Sequence, residues 1–177
     1  MTDTELKLPA IDPVSLEEHT GTYYPDAVKG PAEARIKRRL GDALGLSHFG
    51  VNYTILPPGT WSAFRHWHQN EDEFVYILEG EVTLISDAGE QILGPGMAAG
   101  FPAGDADGHQ LINNSSGNVV MLEVGNRTPN DTVQYPDMDL MLVKKPGDHQ
   151  YSDRQGNPIG DKVAGAPGSD DGWYLSL

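Results

Sequence analysis

Apolar and polar residues alternate in short runs from residue 46 to residue 124, and turn-forming residues separate the runs. A period of two is typical of strands with one buried face, whereas an amphipathic helix repeats its apolar residues every three to four positions. The runs predict strands at 46–56, 64–68, 73–78, 81–86, 90–93 and 119–124. Short strands at such intervals favour an all-β fold built from two antiparallel sheets.

The turns between these strands suggest how they connect. We expect Glu79-Gly80 to join strands 73–78 and 81–86 as a hairpin, and Asp87-Ala88-Gly89 to lead into the next strand. The chain contains 21 glycines and 13 prolines in 177 residues, which agrees with a fold rich in turns. This length suits one domain, whose barrel core we place at residues 44–126.

Residues 1–43 predict an N-terminal arm. Four prolines interrupt any long helix within its first 34 residues. Residues 32–44 favour a short helix or turn that carries the basic run 35–39 on a solvated face. An alternative is that these cations reach the pocket of a partner subunit.

Residues 127–177 predict a C-terminal extension that packs on the barrel or on a partner subunit. We expect an edge strand at 137–143 and a hairpin-like turn within 151–159. The chain ends with Trp173-Tyr174-Leu175 close to its terminus, and this apolar group is most simply explained if it docks on a sheet face or on a neighbouring subunit.

Charge and composition exclude several classes of function. The formal net charge of −14 argues against nucleic acid or an anionic membrane as the partner. The chain has no cysteine, so disulfides and thiolate chemistry are excluded. No run approaches the ~18 apolar residues of a membrane span, and the first residues do not resemble a secretion signal. We therefore expect a cytoplasmic protein that binds a small molecule.

The candidate chemistry lies in Arg65–Gly80, where His66 and His68 stand two residues apart and Glu73 follows. On a strand, alternate side chains share a face, so the two imidazoles lie with Cα atoms about 6.5–7 Å apart and can converge on one ion. Glu73 opens the next strand and adds an oxygen ligand. In isolation such residues are ordinary surface or hydrogen-bonded groups, but the β-rich surroundings and fixed glycine turns favour a metal site.

A second motif follows in residues 96–113, where a Gly-Pro-Gly frame leads to His109 and Asn113. Together the two motifs resemble those of the cupin superfamily, G-x5-H-x-H-x(3,4)-E-x6-G and G-x5-P-x-G-x2-H-x3-N. The resemblance extends from the mid-40s to the mid-120s. Six residues rather than five separate Gly59 from His66, and four rather than two separate Gly104 from His109, which lengthens the loop 104–108.

The resemblance implies a cupin-type double-stranded β-helix, a jelly-roll barrel, with His66, His68, Glu73 and His109 as metal ligands. Imidazole and carboxylate together suit one divalent transition metal such as Mn, Fe, Co, Ni or Zn. Four protein ligands leave one or two positions open, which is typical of a reactive site. We therefore favour a metal-dependent enzyme on a small oxygenated metabolite, with isomerase or epimerase, dioxygenase and lyase all open. The alternative is a ligand-binding cupin without catalysis.

Strand alternation also predicts the walls of the site. Phe64, Val75, Ile77, Leu111 and Asn113 share faces with the ligands. Arg65, Trp67, Phe74, Tyr76 and Leu78 point away, and Trp67 and Tyr76 are expected to pack between sheets or subunits. Asp105 and Asp107 belong to the lengthened loop and are within reach of the mouth, although aspartate in such loops commonly forms turns.

The charge of the central region bears on the substrate. Residues 44–126 contain ten acidic residues and one basic residue, Arg65. Because a phosphate dianion normally requires arginine or lysine, we expect a neutral or singly anionic substrate that chelates the metal. We also expect a homodimer, since cupins commonly pair and the apolar residues Trp67 and Tyr76 and the chain end need to be covered.

Overall fold

The computed structural model describes residues 6–160, so the expectation for the Trp173-Tyr174-Leu175 end lies outside the described residues. Three short 3-10 turns occur at Pro13–Ser15, Asp26–Val28 and Pro31–Ala34. One short helix, α1, spans Leu40–Ala43. The strands are β1 (His19–Thr20), β2 (Ile36–Arg39), β3 (Phe49–Leu56), β4 (Trp67–His68), β5 (Glu73–Glu79), β6 (Val82–Ser86), β7 (Gly89–Leu93), β8 (Ala98–Phe101), β9 (Gln110–Ile112), β10 (Val119–Asn126), β11 (Asp131–Tyr135), β12 (Leu140–Lys145) and β13 (Asp148–Ser152).

The strands form two antiparallel layers, as an all-β jelly roll requires. One layer is a six-stranded sheet in the order β1-β2-β3-β10-β5-β8. The other contains a four-stranded sheet, β13-β12-β11-β4, and a three-stranded sheet, β7-β6-β9. The segment before β4 links these two sheets through isolated bridges, Trp61 with Ile112 and His66 with His109. The predicted fold class is confirmed.

The apolar core lies between the layers and follows the alternation seen in the sequence. On β5, Val75 and Ile77 are fully buried, whereas Phe74, Tyr76 and Leu78 remain 42%, 38% and 36% exposed. These buried side chains pack in one hydrophobic cluster with Leu56 and Met121 of the same sheet and with Leu111 of the other layer. Burial of this cluster fixes the register of β5, because a shift by one residue would turn Glu73 away from the interior.

The expected hairpin between 73–78 and 81–86 is wrong. The strand β5 pairs with β10 and β8, whereas β6 pairs with β7 and β9 in the other layer. Gly80 lies where the chain crosses from one layer to the other. Its φ is +77°, and a Cβ on it would lie 2.5 Å from Asn118 O. The close approach of the Asn118 backbone and the left-handed conformation both require glycine at this crossing.

The prediction of a solvated basic face at residues 35–39 is also wrong. Residues Ile36–Arg39 form β2, which pairs with β3. Arg35 and Lys37 face the interior and are only 4% and 8% exposed. Lys37 forms a 2.8 Å ion pair with Glu123 of β10, which compensates the cost of burying the ammonium group.

The C-terminal flank contributes more than an edge strand. The run predicted at 137–143 appears as β12, which is internal because β11 and β13 pair with its two sides. A further strand, β11, was not predicted. The turn expected within 151–159 is present, since Asp153 N donates to Asn157 O at 2.9 Å.

The outer face of the six-stranded sheet leads us to expect a homodimer. The exposed side chains of Phe74, Tyr76 and Leu78 lie side by side on β5, and such an apolar stripe is typical of a protein contact. Sedimentation at micromolar concentration should give about twice the chain mass of 19.2 kDa. The variant Phe74→Glu with Tyr76→Lys should sediment as a monomer, and a parent that sediments as one chain would contradict this prediction.

Within residues 6–160 no helix is long and apolar enough to cross a membrane.

Candidate metal centre

Four side chains predicted as ligands converge in the barrel interior. His66 lies at the bridge to His109, His68 ends β4, and Glu73 begins β5. Exposure is 0% for His66, 4% for His68, 3% for Glu73 and 1% for His109. The structure therefore brings together residues that the sequence separates by up to 43 positions.

Their ligand atoms are close enough to share one ion. Glu73 Oε2 lies 3.6 Å from His66 Nε2, 3.5 Å from His68 Nε2 and 3.0 Å from His109 Nε2. The ligand atoms of His66, His68 and Glu73 all lie within 4.8 Å of one another. Ligands bound at about 2.0–2.2 Å to a common metal are separated by distances of this size.

The hydrogen bonding of the rings favours a cation between them. His66 Nδ1 lies 2.8 Å from Phe64 O, and His68 Nδ1 lies 2.6 Å from Asp131 Oδ2. Since these oxygens accept, each Nδ1 donates its hydrogen, and in the neutral ring Nε2 keeps a lone pair.

Among residues 6–160, neither those Nε2 atoms nor the two Glu73 oxygens form a well-aligned hydrogen bond, although His109 Nε2 lies 3.0 Å from Glu73 Oε2. The Nε2 lone pairs and the negatively charged carboxylate of Glu73 repel one another unless a positive charge lies between them. The donor set therefore fits a divalent transition metal.

The pKa values describe a carboxylate surrounded by imidazoles. Burial raises the pKa of Glu73, but the three histidines outweigh it and hold the pKa well below its ordinary value. Burial lowers the pKa of His109 to about 4, so this ring is neutral at physiological pH. Burial also lowers the pKa of His68, yet Glu73 and Asp131 more than offset this effect and raise it.

The lengthened loop does not displace His109. Gly104 N donates to His68 O at 2.8 Å, which ties the loop to the ligand strand. The ring of His109 stacks on Phe101, with centroids 3.5 Å apart and planes 5° apart. Asn113, the other matched residue of the second motif, is structural, because its Nδ2 donates to Leu56 O and Gly117 O.

A second cluster of possible ligands includes His68, but its carboxylate oxygens already accept hydrogen bonds from other protein groups. It consists of His68, Glu71 and Asp131, whose ligand atoms also lie within 4.8 Å of one another. Glu71 Oε1 accepts from Thr128 N and from the Lys144 ammonium group. Asp131 accepts from His68 Nδ1 and from Asn70 N. The cluster whose donors are unpartnered among the described residues is therefore the better candidate for a metal site.

A cavity of about 340 Å³ adjoins the ligands. His68, Glu73 and His109 form part of its wall. Asp105 and Asp107 of the lengthened loop line its mouth, and they also form turns, since Asp105 Oδ1 accepts from Asp107 N at 3.2 Å.

Two expectations about the walls are wrong and one is confirmed. None of the side chains predicted as walls lines the cavity, namely Phe64, Val75, Ile77, Leu111 and Asn113. Trp67 lines the cavity, although alternation placed it on the opposite face, because β4 has only two residues and follows an irregular segment. Tyr76 points outward and is 38% exposed.

No lysine or arginine of the described chain lines this cavity, although Lys144 contacts Glu71 in its wall. Arg65 points outward as predicted and pairs with Asp87 and Asp137. Arg35, Lys37 and Arg39 line a second cavity, of about 330 Å³, at the opposite end of the six-stranded sheet. His48, which matched neither motif, is exposed.

Sequence reasoning missed Asp131, Glu71 and Phe101 as neighbours of the ligands. Glu71 lies within the first motif, but its spacing there does not distinguish it from a surface residue. Asp131 opens the alternating run 131–135, which was not recognised as a strand, and no local signal connects Asp131 to His68. The stacking position of Phe101 depends on the pairing of β8 with β5, which places Phe101 opposite Glu73.

Comparison with known proteins agrees with this geometry. A model of the Cupin domain family matches residues 52–125. A crystal structure of a sugar phosphate isomerase from a cupin superfamily, from Silicibacter pomeroyi DSS-3, is 42% identical, with 85% of this chain and 96% of that chain covered and a TM-score of 0.83. The chain is a member of the cupin superfamily.

Two further cupin-like structures extend the comparison. A proposed sugar phosphate isomerase from Acidithiobacillus ferrooxidans ATCC 23270 is 32% identical over 72% of this chain and 81% of that chain, with a TM-score of 0.66. The polyketide cyclase RemF from Streptomyces resistomycificus is 20% identical over 69% and 80% of the two chains, with a TM-score of 0.53, and shares the fold alone. Among curated proteins, no sequence matches this cupin.

Proposed function

We propose that this cupin is a metal-dependent isomerase of a small, unphosphorylated polyhydroxy carbonyl compound, such as an aldose or ketose. The observation that carries the proposal is the set of buried donors of His66, His68, Glu73 and His109, unpartnered among the described residues, beside a cavity of about 340 Å³. Complete ligand sets of this kind favour a catalyst over a simple binder, because four ligands leave positions for a substrate.

The ligands present suit one divalent transition metal, with Mn, Fe, Co, Ni and Zn as candidates. Such an ion supplies Lewis acidity, which polarises the carbonyl and hydroxyl oxygens of a chelating substrate. The protein contributes the fixed geometry: Phe64 O and Asp131 hold two imidazoles, and Phe101 holds the third by stacking.

The names of two relatives support isomerisation among the reactions open to this fold. Both cover more than two thirds of this chain, at 42% and 32% identity. Interconversion of an aldose and a ketose removes one proton from C2 and returns one to C1, while the hydroxyl proton moves from O2 to O1. The adjacent oxygens O1 and O2 suit two neighbouring open positions at one ion.

The charge of the cavity favours an unphosphorylated substrate. Its described lining includes the carboxylates of Glu71, Asp105 and Asp107 beside Glu73, and no lysine or arginine. A phosphate dianion would lack the cations that usually bind it. Neutral hydroxyl groups, in contrast, can donate hydrogen bonds to Asp105, Asp107 and Gln91.

A second candidate is isomerisation of a sugar phosphate, which the names of both relatives favour. Arg35 and Lys37 add a specific observation, because both are buried and line the second cavity inside the same sandwich together with Arg39. A phosphate held there would require the substrate to extend from the metal to β2.

A screen of sugars paired with their phosphates distinguishes the two candidates. NMR should detect interconversion of an unphosphorylated aldose and ketose by the metal-loaded protein. The rate should be no higher with the corresponding sugar phosphate. The variant His66→Ala with His68→Ala should be inactive.

Two outcomes would contradict the proposal. A consistent preference for phosphates that is lost in Arg39→Ala, but kept in Arg38→Ala on the outer face, would establish the second candidate. Binding without turnover of any sugar would indicate a ligand-binding cupin.

A further inference from the structure

A carboxylate from outside the matched cupin region lies behind one metal ligand. Asp131 begins β11 and is 2% exposed. Its Oδ2 lies 2.6 Å from His68 Nδ1, and its Oδ1 accepts from Asn70 N at 2.9 Å. The same carboxylate therefore holds the ring of His68 and the start of the bend that leads to Glu73.

This contact determines which nitrogen of His68 faces the ligand cluster. A carboxylate can only accept here, so Nδ1 carries the hydrogen, and in the neutral ring Nε2 presents its lone pair 3.5 Å from Glu73 Oε2. A carboxylate partner also increases the electron density of the ring, which strengthens a metal–nitrogen bond. His66 has a backbone carbonyl in the equivalent place, so His68 is the ring with a charged partner.

Neighbouring Glu71 cannot take this role. Its Oε2 lies 3.8 Å from His68 Nδ1, which is too long for a hydrogen bond. Its other oxygen accepts from Thr128 N, Thr128 Oγ1 and Lys144. Lys144 lies directly opposite Asp131 in the register of β11 and β12, and its ammonium group contacts Glu71.

We propose that Asp131 is a positioning residue of the metal centre, which fixes the tautomer and orientation of His68 and thereby sets the affinity for the metal. The proposal rests on the metal site of the proposed function. It also gives the C-terminal extension a role in that site, because Asp131 follows the matched residues 52–125 and reaches His68 through the pairing of β11 with β4.

The test compares Asp131→Asn with Asp139→Asn, a control in the same extension whose side chain is exposed. Both are prepared metal-free, and Zn(II) and Co(II) affinities are measured by competition with a chelator. Asp131→Asn should bind about 10–100-fold more weakly, as expected for loss of an outer hydrogen-bond partner, and should change the Co(II) absorption spectrum. Asp139→Asn should match the parent in both measurements.

The melting temperature of the metal-free proteins separates positioning from stability. A lower melting temperature of Asp131→Asn with unchanged metal affinity would show a structural role only and would overturn the proposal. A tautomer measurement on the parent does not depend on any variant: at a pH high enough for the ring to be neutral, nitrogen NMR of metal-free protein should show His68 protonated at Nδ1 and not at Nε2. The opposite tautomer would also overturn the proposal.

The outcomes distinguish this inference from the proposed function. Equal affinity of the parent and Asp131→Asn would remove the role of Asp131 and leave the metal site intact. A parent that binds neither ion would remove the metal site and this inference together.

Discussion

Protein in which His66 and His68 are both replaced by alanine should hold no stoichiometric transition metal. The two rings supply two of four donors, and the remaining pair, Glu73 and His109, cannot retain an ion against the solvent. Elemental analysis of protein purified without a histidine tag, after equilibration with one equivalent of Zn(II) or Fe(II), measures the effect.

The matched control for that experiment is His48→Ala. His48 is exposed and belongs to neither motif, so its loss should leave metal content unchanged. Because His66 and His68 are buried, circular dichroism should accompany the measurement and show that the sheets persist. Metal content of the double variant equal to that of the parent would show that the site is assigned to the wrong residues.

Replacement of Lys144 by methionine should destabilise the fold by about 3–5 kcal/mol, which is the usual cost of breaking a buried ion pair. Lys144 is 6% exposed and Glu71 is 2% exposed, and the two are in direct contact. The substitution leaves the carboxylate of Glu71 in a buried position, with Thr128 as its remaining donor among residues 6–160. Urea unfolding of the metal-free protein measures the loss.

A double variant tests whether the loss of stability arises from the unpaired charge that remains on Glu71. Adding Glu71→Gln to Lys144→Met removes that charge, and most of the lost stability should return. A single variant that loses less than about 1 kcal/mol, typical of an exposed pair, would contradict the prediction.

The convergence of the candidate ligands was predictable because its signals are local or repeated. His66 and His68 are two residues apart on an extended segment, and Glu73 opens a strand with clear alternation. Alternation also identified the outward face of β5, since buried and exposed positions alternate there from Glu73 to Leu78.

Strand partners were much less predictable. The turn at Gly80 has the local composition of a hairpin, and only its contact with Asn118 in another part of the chain shows that it crosses between layers. The strand β2 was not predicted, because its charged residues resemble a solvated run. Arg35 and Lys37 are buried in contact with Ser62 and Glu123, which are distant in the sequence. Asp131 was not predicted as a neighbour of His68 for the same reason, since the two residues are 63 positions apart in the sequence.

The flanking strands have a consequence for any shorter version of this protein. A fragment limited to residues 52–125 would lose β2 from one side of β3 and β11 from one side of β4. Both strands would then present unpaired backbone donors and acceptors at an open edge, and such edges recruit strands from other molecules. The excised family region should therefore form aggregates, because the sheets of this chain are completed by segments on both sides of it.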